Sequence, residues 1–568
     1  MHRPGTTPAP LLSSRRRPYF AVLVSALLML GLALPAWAAT SVDVQANNPQ
    51  VAGDSSSDAT ARFPTNKQNE PSIAVHPTSA HLIAGSNDEQ QQPACGAAIR
   101  GTDGTDCSFS PGVGTDGVYT SSNGGQSWRN RGLLDDYAGW KASPFVSDGD
   151  AVIVYGPRYN QTTKKFSRSA YDGYYQSLAS YKPGRQPGNQ APEFIVVSRT
   201  SDNGTSWTRP SVIADSHGYT FNDKNAIWAD KNPSSPYYGR MYASWTQFRG
   251  NSAEPIRVSY STDGGRTWSI PRQLSGASNN SVTGGRQGSA VRTDGKGNVY
   301  VAWEDGDQQV YAVSRNGGFS YSRPRAIGPV ADLVDPIPGS NFRNDSFLSL
   351  ASDPRANSTR LYAAWVNRTV ADGSAAELVV YRTKGTGWTR VATPYAGSVA
   401  DTTGVPFFQG LDVAGTGRVD LGWQAMTAAD PTTFGTGNAA INAYSSSSAP
   451  GGSAFKAPTR VSSRSSDPAA SAQNNLQRQF WGDYSTLVSK GRKAWFIYTD
   501  ARHGVGCPAV DAYQRFLVGS GAVIAQEEKG ADAQAAPAGP EDGDKPAPPT
   551  DCPPQFGNTD AFVSVITP

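Results

Sequence analysis

The chain is 568 residues long and carries 50 basic and 47 acidic side chains, 59 glycines and four cysteines. That length allows a sizeable core, and the near balance of charge excludes nucleic acid or an anionic membrane surface as the dominant partner. No His-Glu-x-x-His, Gly-x-Ser-x-Gly, P-loop or Cys-x-x-Cys pattern occurs, so no cofactor is implied, and the acidic loops show no spacing that argues for a metal.

At the N-terminus, Arg3 and Arg15-Arg16-Arg17 precede an apolar run from Ala21 to Pro35, and Ala36-Trp37-Ala38 offers a small-x-small cleavage site. Residues 1–38 therefore read as a secretory signal peptide whose apolar part is too short for a membrane anchor. Residues 39–568 read as one secreted, extracellular domain, expected to be a monomer. Without the leader's four arginines, 46 basic residues face 47 acidic ones. The alternation Ser41-Val42-Asp43-Val44-Gln45 then suits a half-buried strand.

Further along, one eight-residue pattern returns: Ser/Thr-x-Asp/Asn-x-Gly-x-Ser/Thr-Trp. It occupies Ser121–Trp128, Thr200–Trp207 and Ser261–Trp268, and Ser314–Tyr321 ends in Tyr instead. Asn123, Asp202, Asp263 and Asn316 stand where a side chain can accept from backbone N–H groups ahead of it. The Gly two positions later supplies φ > 0, and the closing aromatic is large enough to plug a seam beneath the turn. The pattern is structural, since nothing in it is a nucleophile or a metal cage.

Each turn follows an alternating strand and precedes a short one, and Tyr242–Trp245, Tyr300–Trp303 and Tyr362–Trp365 repeat a Tyr-x-x-Trp strand before it. A unit is thus four antiparallel strands, which is a propeller blade. Seven openings can be counted: Pro71–Val75, Ser143–Val146, Ala226–Trp228, Ser289–Val291, Phe347–Leu350, Pro406–Phe408 and Phe480–Tyr484. The fold expected is an all-β propeller of seven blades, with six as the alternative. The last unit stops after a third strand, Phe562–Ile566, and an open edge invites association. The strand at Ser41–Gln45 is the candidate that closes it.

Three long insertions fall between the second and third strands: Asn87 to Asp116, Gly156 to Glu193 and Ala501 to Asn558. In an up-and-down blade these gather over one mouth of the channel, opposite the eight-residue turns. Cysteines suit an oxidising compartment, and of three possible pairings the local ones, Cys95–Cys107 and Cys507–Cys552, each tie one such insertion. Residues about 525–549, rich in Ala, Pro, Gly, Glu and Asp, cannot bury enough apolar surface to order themselves. The second insertion mixes Tyr155, Tyr159, Phe166, Tyr171, Tyr174, Tyr175 and Tyr181 with Arg158, Lys164, Lys165 and Arg168. It reads either as a surface for sugar rings with acidic groups or as a loop burying its own tyrosines. Charged residues also recur just before the inner strands: Glu70, Lys224 with Asp223, Arg286, Arg343 with Asp345, and Arg478 with Asp483. Converging at the mouth, they form either a guanidinium clamp for a carboxylate or a set of structural ion pairs.

The turns resemble the Asp-box (BNR) repeats of the sialidase superfamily over most of the mature chain. Asp483-Tyr484-Ser485-Thr486-Leu487, followed by Trp495-Phe496-Ile497-Tyr498, is similar to the Tyr-Ser-x-Leu segment that carries the sialidase nucleophile. The resemblance implies Tyr484 as a nucleophile assisted by a base, with Arg286, Arg343 and Arg478 holding a sialic acid carboxylate. The first arginine of that family has no counterpart, because the first blade opens on Asn69-Glu70-Pro71-Ser72-Ile73. Two functions are therefore expected: a glycan-binding, sialidase-like glycoside hydrolase, or a non-catalytic extracellular scaffold for protein or polysaccharide.

Overall fold

The computed structural model describes residues 42–50, 67–92, 112–185, 193–216, 220–249, 253–276, 286–385, 387–435, 437–474, 476–519, 552–553 and 555–568, all within the unit Ser41–Pro568. The leader, Cys95, Cys107 and the low-complexity stretch lie outside the described residues.

Seven antiparallel sheets follow one another, each filling four strand positions from the inside outward. Their innermost strands are Gln68–Val75, Phe145–Ser147 continued by Val152–Asn160, Thr220–Ala229, Arg286–Thr293, Ser349–Ser352, Val405–Val413 and Thr486–Lys490. Each packs against the next and the seventh returns to the first, so the ring is a closed, seven-bladed β-propeller. The seventh blade owns only three strands. Val42–Gln45 supplies the fourth, antiparallel to Asp560–Ile566, with Val42 opposite Val565 and Gln45 opposite Phe562.

The core lies in the seams between blades. Trp245, Trp303, Trp365 and Trp423, all on second strands, are fully buried. Trp303 packs with Tyr242 and Ile256 of the preceding blade, and Trp365 with Ala302 and Tyr311 of the blade before it. Truncating such a residue to Ala typically costs about 3–5 kcal/mol, so these indoles set the spacing of the ring.

The four eight-residue turns share one geometry. In each, the leading Ser or Thr hydroxyl accepts from the Gly N–H four residues on at 2.9 Å. Asn123, Asp202, Asp263 and Asn316 each accept from the N–H of the Ser or Thr four residues ahead, at 3.1, 2.9, 3.0 and 2.9 Å. Each turn docks on the preceding blade. A Cβ on Gly125 would stand 2.9 Å from Trp495, and one on Gly204 2.8 Å from Thr120, so glycine is needed for proximity as well as for φ. Trp207 lies edge-on to Tyr175 at 5.7 Å, plugging the seam as expected.

Blade 2 departs from the expectation. The segment from Gly156 to Glu193 is not one long loop between second and third strands. Val152–Asn160 and Lys165–Tyr181 form a long hairpin of the first and second strands, with Val152 opposite Gln176 and Asn160 opposite Lys165. Its tip therefore emerges with the eight-residue turns, where Arg266 stands over Tyr159 at 5.6 Å. Tyr155, Tyr174 and Tyr175 are fully buried, the outcome in which the segment keeps its own tyrosines. The third insertion does leave from second to third strand, and it contains a helix, Pro508–Gly519, tied by the Cys507–Cys552 disulfide.

Candidate functional site at the channel mouth

Because the strands alternate in direction, the starts of the inner strands and the links between blades open on one end of the channel. Several inner strands begin with a bulge. The ladder register shifts between Asn69 and Ser72, Asp223 and Ala226, Gln287 and Ala290, and Phe407 and Gly410. At these places Glu70, Lys224 and Phe408 hold φ of 52°, 50° and 46°, and Asp150 holds 57° where the inner strand of blade 2 is interrupted. Left-handed non-glycine backbone costs free energy and collects where side chains must be re-aimed. Here it turns Glu70, Asp150 and Lys224 towards one another.

Asp483 is the hub. Its carboxylate accepts from Arg343 Nε and Nη2 at 2.7 Å each and pairs with Lys224 Nζ on the other side. Lys224 Nζ is 3.7 Å from Asp223, and Arg343 Nη2 is 3.8 Å from Glu70 Oε1. Asn87 donates to both Asn69 Oδ1 and Glu70 Oε2 at 2.9 Å, while its Oδ1 accepts from the Asp150 N–H at 2.8 Å. Burial works against the charge of Asp483, but Arg343 and Lys224 prevail and hold it well below the usual carboxylate range. Glu70 and Asp150 move the other way, raised by burial and then by neighbouring acids, Asp483 for the first and Glu70 and Asp223 for the second. Like charges held close favour the protonated form of a carboxyl.

Tyr484 completes the group. Its hydroxyl is buried, has no hydrogen-bond partner among the described residues, and is held well above the usual phenol range by burial and then by Asp150, Glu70 and Asp483. A buried polar atom left unpaired costs about 1–3 kcal/mol and calls for an explanation, of which a catalytic role is one.

Of the residues nominated from sequence, Glu70, Lys224, Arg343, Asp483 and Tyr484 thus come together. Arg478 does not join them. It is buried, its guanidinium reaches Asp335 at 2.5 and 3.2 Å, and its Nε donates to Asn341 O at 3.0 Å. Arg286 opens the inner strand of blade 4, paired with Asp305, and its side chain lies outside the described residues. The three-arginine clamp is therefore not assembled: Arg343 spends its fork on Asp483 and Arg478 spends its own on Asp335. The sequence reading missed Asp150 and Asn87. The one signal for Asp150 was its place after Gly149, two residues from a strand, where blades 1 and 3 also carry a charge.

No family model matches the chain. A sialidase of Micromonospora viridifaciens is 24% identical over 255 residues, 42% of this chain and 35% of that protein, so the match spans about a third of the curated relative. Among solved structures, the NanB sialidase of Streptococcus pneumoniae is similar with a TM-score of 0.37 at 10% identity, over 68% of this chain and 67% of that one. An intramolecular trans-sialidase from Ruminococcus gnavus gives 0.35 at 12% over 66% and 92%, and an ulvan lyase 0.39 at 8% over 80% and 93%. The chain is a seven-bladed β-propeller, part of which is similar in sequence to a sialidase.

Proposed function

We propose that the protein is an exported glycan-binding propeller acting as a retaining glycoside hydrolase at the channel mouth, with Tyr484 as nucleophile. The observation that carries this reading is the buried Tyr484 hydroxyl, unpaired among the described residues and close to two buried carboxyls, Glu70 and Asp150. In the first step Tyr484 Oη bonds to the anomeric carbon and gives its proton to Glu70, while the glycosidic bond breaks and its oxygen takes the proton of Asp150. In the second, water attacks that carbon, Asp150 recovers a proton from it, and the phenolate leaves and is reprotonated by Glu70. Lys224 and Arg343 steady Asp483, whose charge would otherwise oppose a phenolate at the adjacent residue.

Glu70, Asp150, Asp223 and Asp483 outnumber Lys224 and Arg343, and two of the three guanidinia of the expected clamp, those of Arg343 and Arg478, are engaged. That balance favours an uncharged reacting sugar. An exo-α-sialidase would need Asp483 to release Arg343, which makes α-sialosides the stringent arm of the test. A disulfide between Cys507 and Cys552 suits an oxidising, extracellular setting, and among the described residues no helix is long and apolar enough to cross a membrane.

The test is release of a fluorogenic aglycone from a panel of neutral glycosides and an α-sialoside. Turnover by the wild-type chain and its loss in Tyr484→Phe is the expected result. Equal turnover by both proteins would remove the nucleophile. The second reading, a binding scaffold without turnover, is favoured by the closed pairing of Lys224, Asp483 and Arg343, and it predicts glycan or protein binding with no hydrolysis anywhere on the panel.

A further inference from the structure

The channel enclosed by the inner strands forms a cavity of about 490 Å³ that runs from Tyr484 and Lys224 at the mouth to Lys231, Arg292 and Asp412 at the end carrying the eight-residue turns. Arg292 is the penultimate residue of the inner strand of blade 4, and Lys231 follows that of blade 3 by two residues. Both cations lie over the same indole. Lys231 Nζ is 4.6 Å, and Arg292 Cζ 4.4 Å, from the ring centroid of Trp228, so the two charges are at most about 9 Å apart. Trp228 is itself held by a hydrogen bond from Nε1 to Thr293 Oγ1 at 3.0 Å.

These cations lack what other basic groups of this protein have. Arg343, Arg418, Arg478 and Arg502 each reach a carboxylate within 2.7 Å. Arg292 reaches none, and among the described residues its one hydrogen bond goes from Nη1 to the carbonyl of Val291 at 2.8 Å. Lys231 has neither an ion pair nor a hydrogen bond there; its neighbour is the indole. The acid across the channel, Asp412, is engaged by the Ser489 N–H at 2.7 Å and stands outside ion-pair distance of both cations. Burial brings Lys231 down to about 8, opposed by Asp412 and helped by Arg292, and burial brings Arg292 down to about 10 against the attraction of Asp412. Two cations against one indole, lining a channel whose acid stands outside ion-pair distance of either, form a pocket that gains from an anion.

We propose that this end of the channel is an oxyanion-binding site, in which the free Nε and Nη2 of Arg292 and the ammonium of Lys231 hold a small carboxylate or phosphate against Trp228. It is separate from the Tyr484 site and does not depend on any reaction there.

The experiment is isothermal titration calorimetry of the full chain with inorganic phosphate and, separately, acetate, at constant ionic strength against a chloride reference. Saturable binding is expected, with the stronger arm telling phosphate from carboxylate chemistry, and with affinity falling ten-fold or more in Lys231→Met and in Arg292→Met. As a second readout in the unmutated protein, reductive methylation of Lys231, followed by mass spectrometry, should slow in the presence of the bound anion. Absence of saturable heat with both anions, or affinity unchanged in both variants together with unprotected Lys231, overturns the proposal.

Discussion

The two ends of the channel are built from the same seven inner strands, yet they handle charge in opposite ways. At the mouth, Lys224 and Arg343 are both committed to Asp483, and further acids, Glu70, Asp150 and Asp223, crowd around them. At the other end, Lys231 and Arg292 share an indole, and Asp412 is occupied by a backbone N–H. Four of the inner strands carry bulges at their starts, which re-aim side chains at one another, whereas the strands bearing Trp228 and Arg292 keep their register at their ends. A propeller's symmetry thus supplies position, while the local backbone decides whether charges meet partners or are left to meet a ligand.

That contrast can be tested from both sides. The largest effect is expected from Tyr484→Phe, which should lower glycoside turnover at the mouth by at least about 10³-fold while the thermal midpoint barely moves, measured by initial rates and by melting. Next is Asp483→Ala, which removes the nearest partner of Lys224 and Arg343 and leaves them the more distant Asp223 and Glu70, and should cost about 3 kcal/mol of unfolding free energy in a denaturant titration. The pH profile should sharpen this. A carboxyl held below its ordinary range stabilises the fold above its unfolded value of about 4 and loses that contribution as the pH falls further, so Asp483→Asn should flatten the acid limb of the stability curve below about pH 4. A smaller effect is expected for Asp263→Ala, which removes the acceptor for the N–H groups of Arg266 and Thr267, at about 1 kcal/mol by analogy with a lost cap. The smallest is Arg292→Met at the far end. With no acid partner to lose, it should leave stability within about 0.5 kcal/mol of the parent. A loss comparable to that of Asp483→Ala would erase the distinction between the two ends.

Much of the architecture was legible because the repeated turns combine several stringent demands: a hydroxyl, a short acceptor, a positive-φ glycine and a plug. The closing strand was legible too, since Val42–Gln45 alternates and the last blade lacked an edge. Blade 2 was misread because Tyr171, Gly173 and Tyr175 on one face suit a strand as well as a tyrosine-rich loop, and only the pairing Tyr155 to Gly173 decides between them. The helix Pro508–Gly519 went unnoticed inside an insertion. At the site, inner-strand charges pointed to the mouth, but Arg478 was misassigned because its acid, Asp335, lies 143 residues away. Pairings over such distances follow from the ring closing, and local pattern does not carry them. Lys231 and Arg292 were passed over for the same reason: neither stands in a motif, and only the closed channel brings them to one indole.

Blade 7 joins residues more than 500 positions apart, as the bond from Gln45 Nε2 to Asp560 Oδ1 illustrates. Because the two strands run antiparallel with Val42 beside Val565, tension applied to both would peel them one residue pair at a time, as a zip opens from its free end. A circular permutant that links these neighbours by a short turn and is cut instead at the outer hairpin between Lys384 and Gly387 would turn this clasp into an ordinary hairpin. Such a molecule should keep the ring, and under load it should yield somewhere other than blade 7.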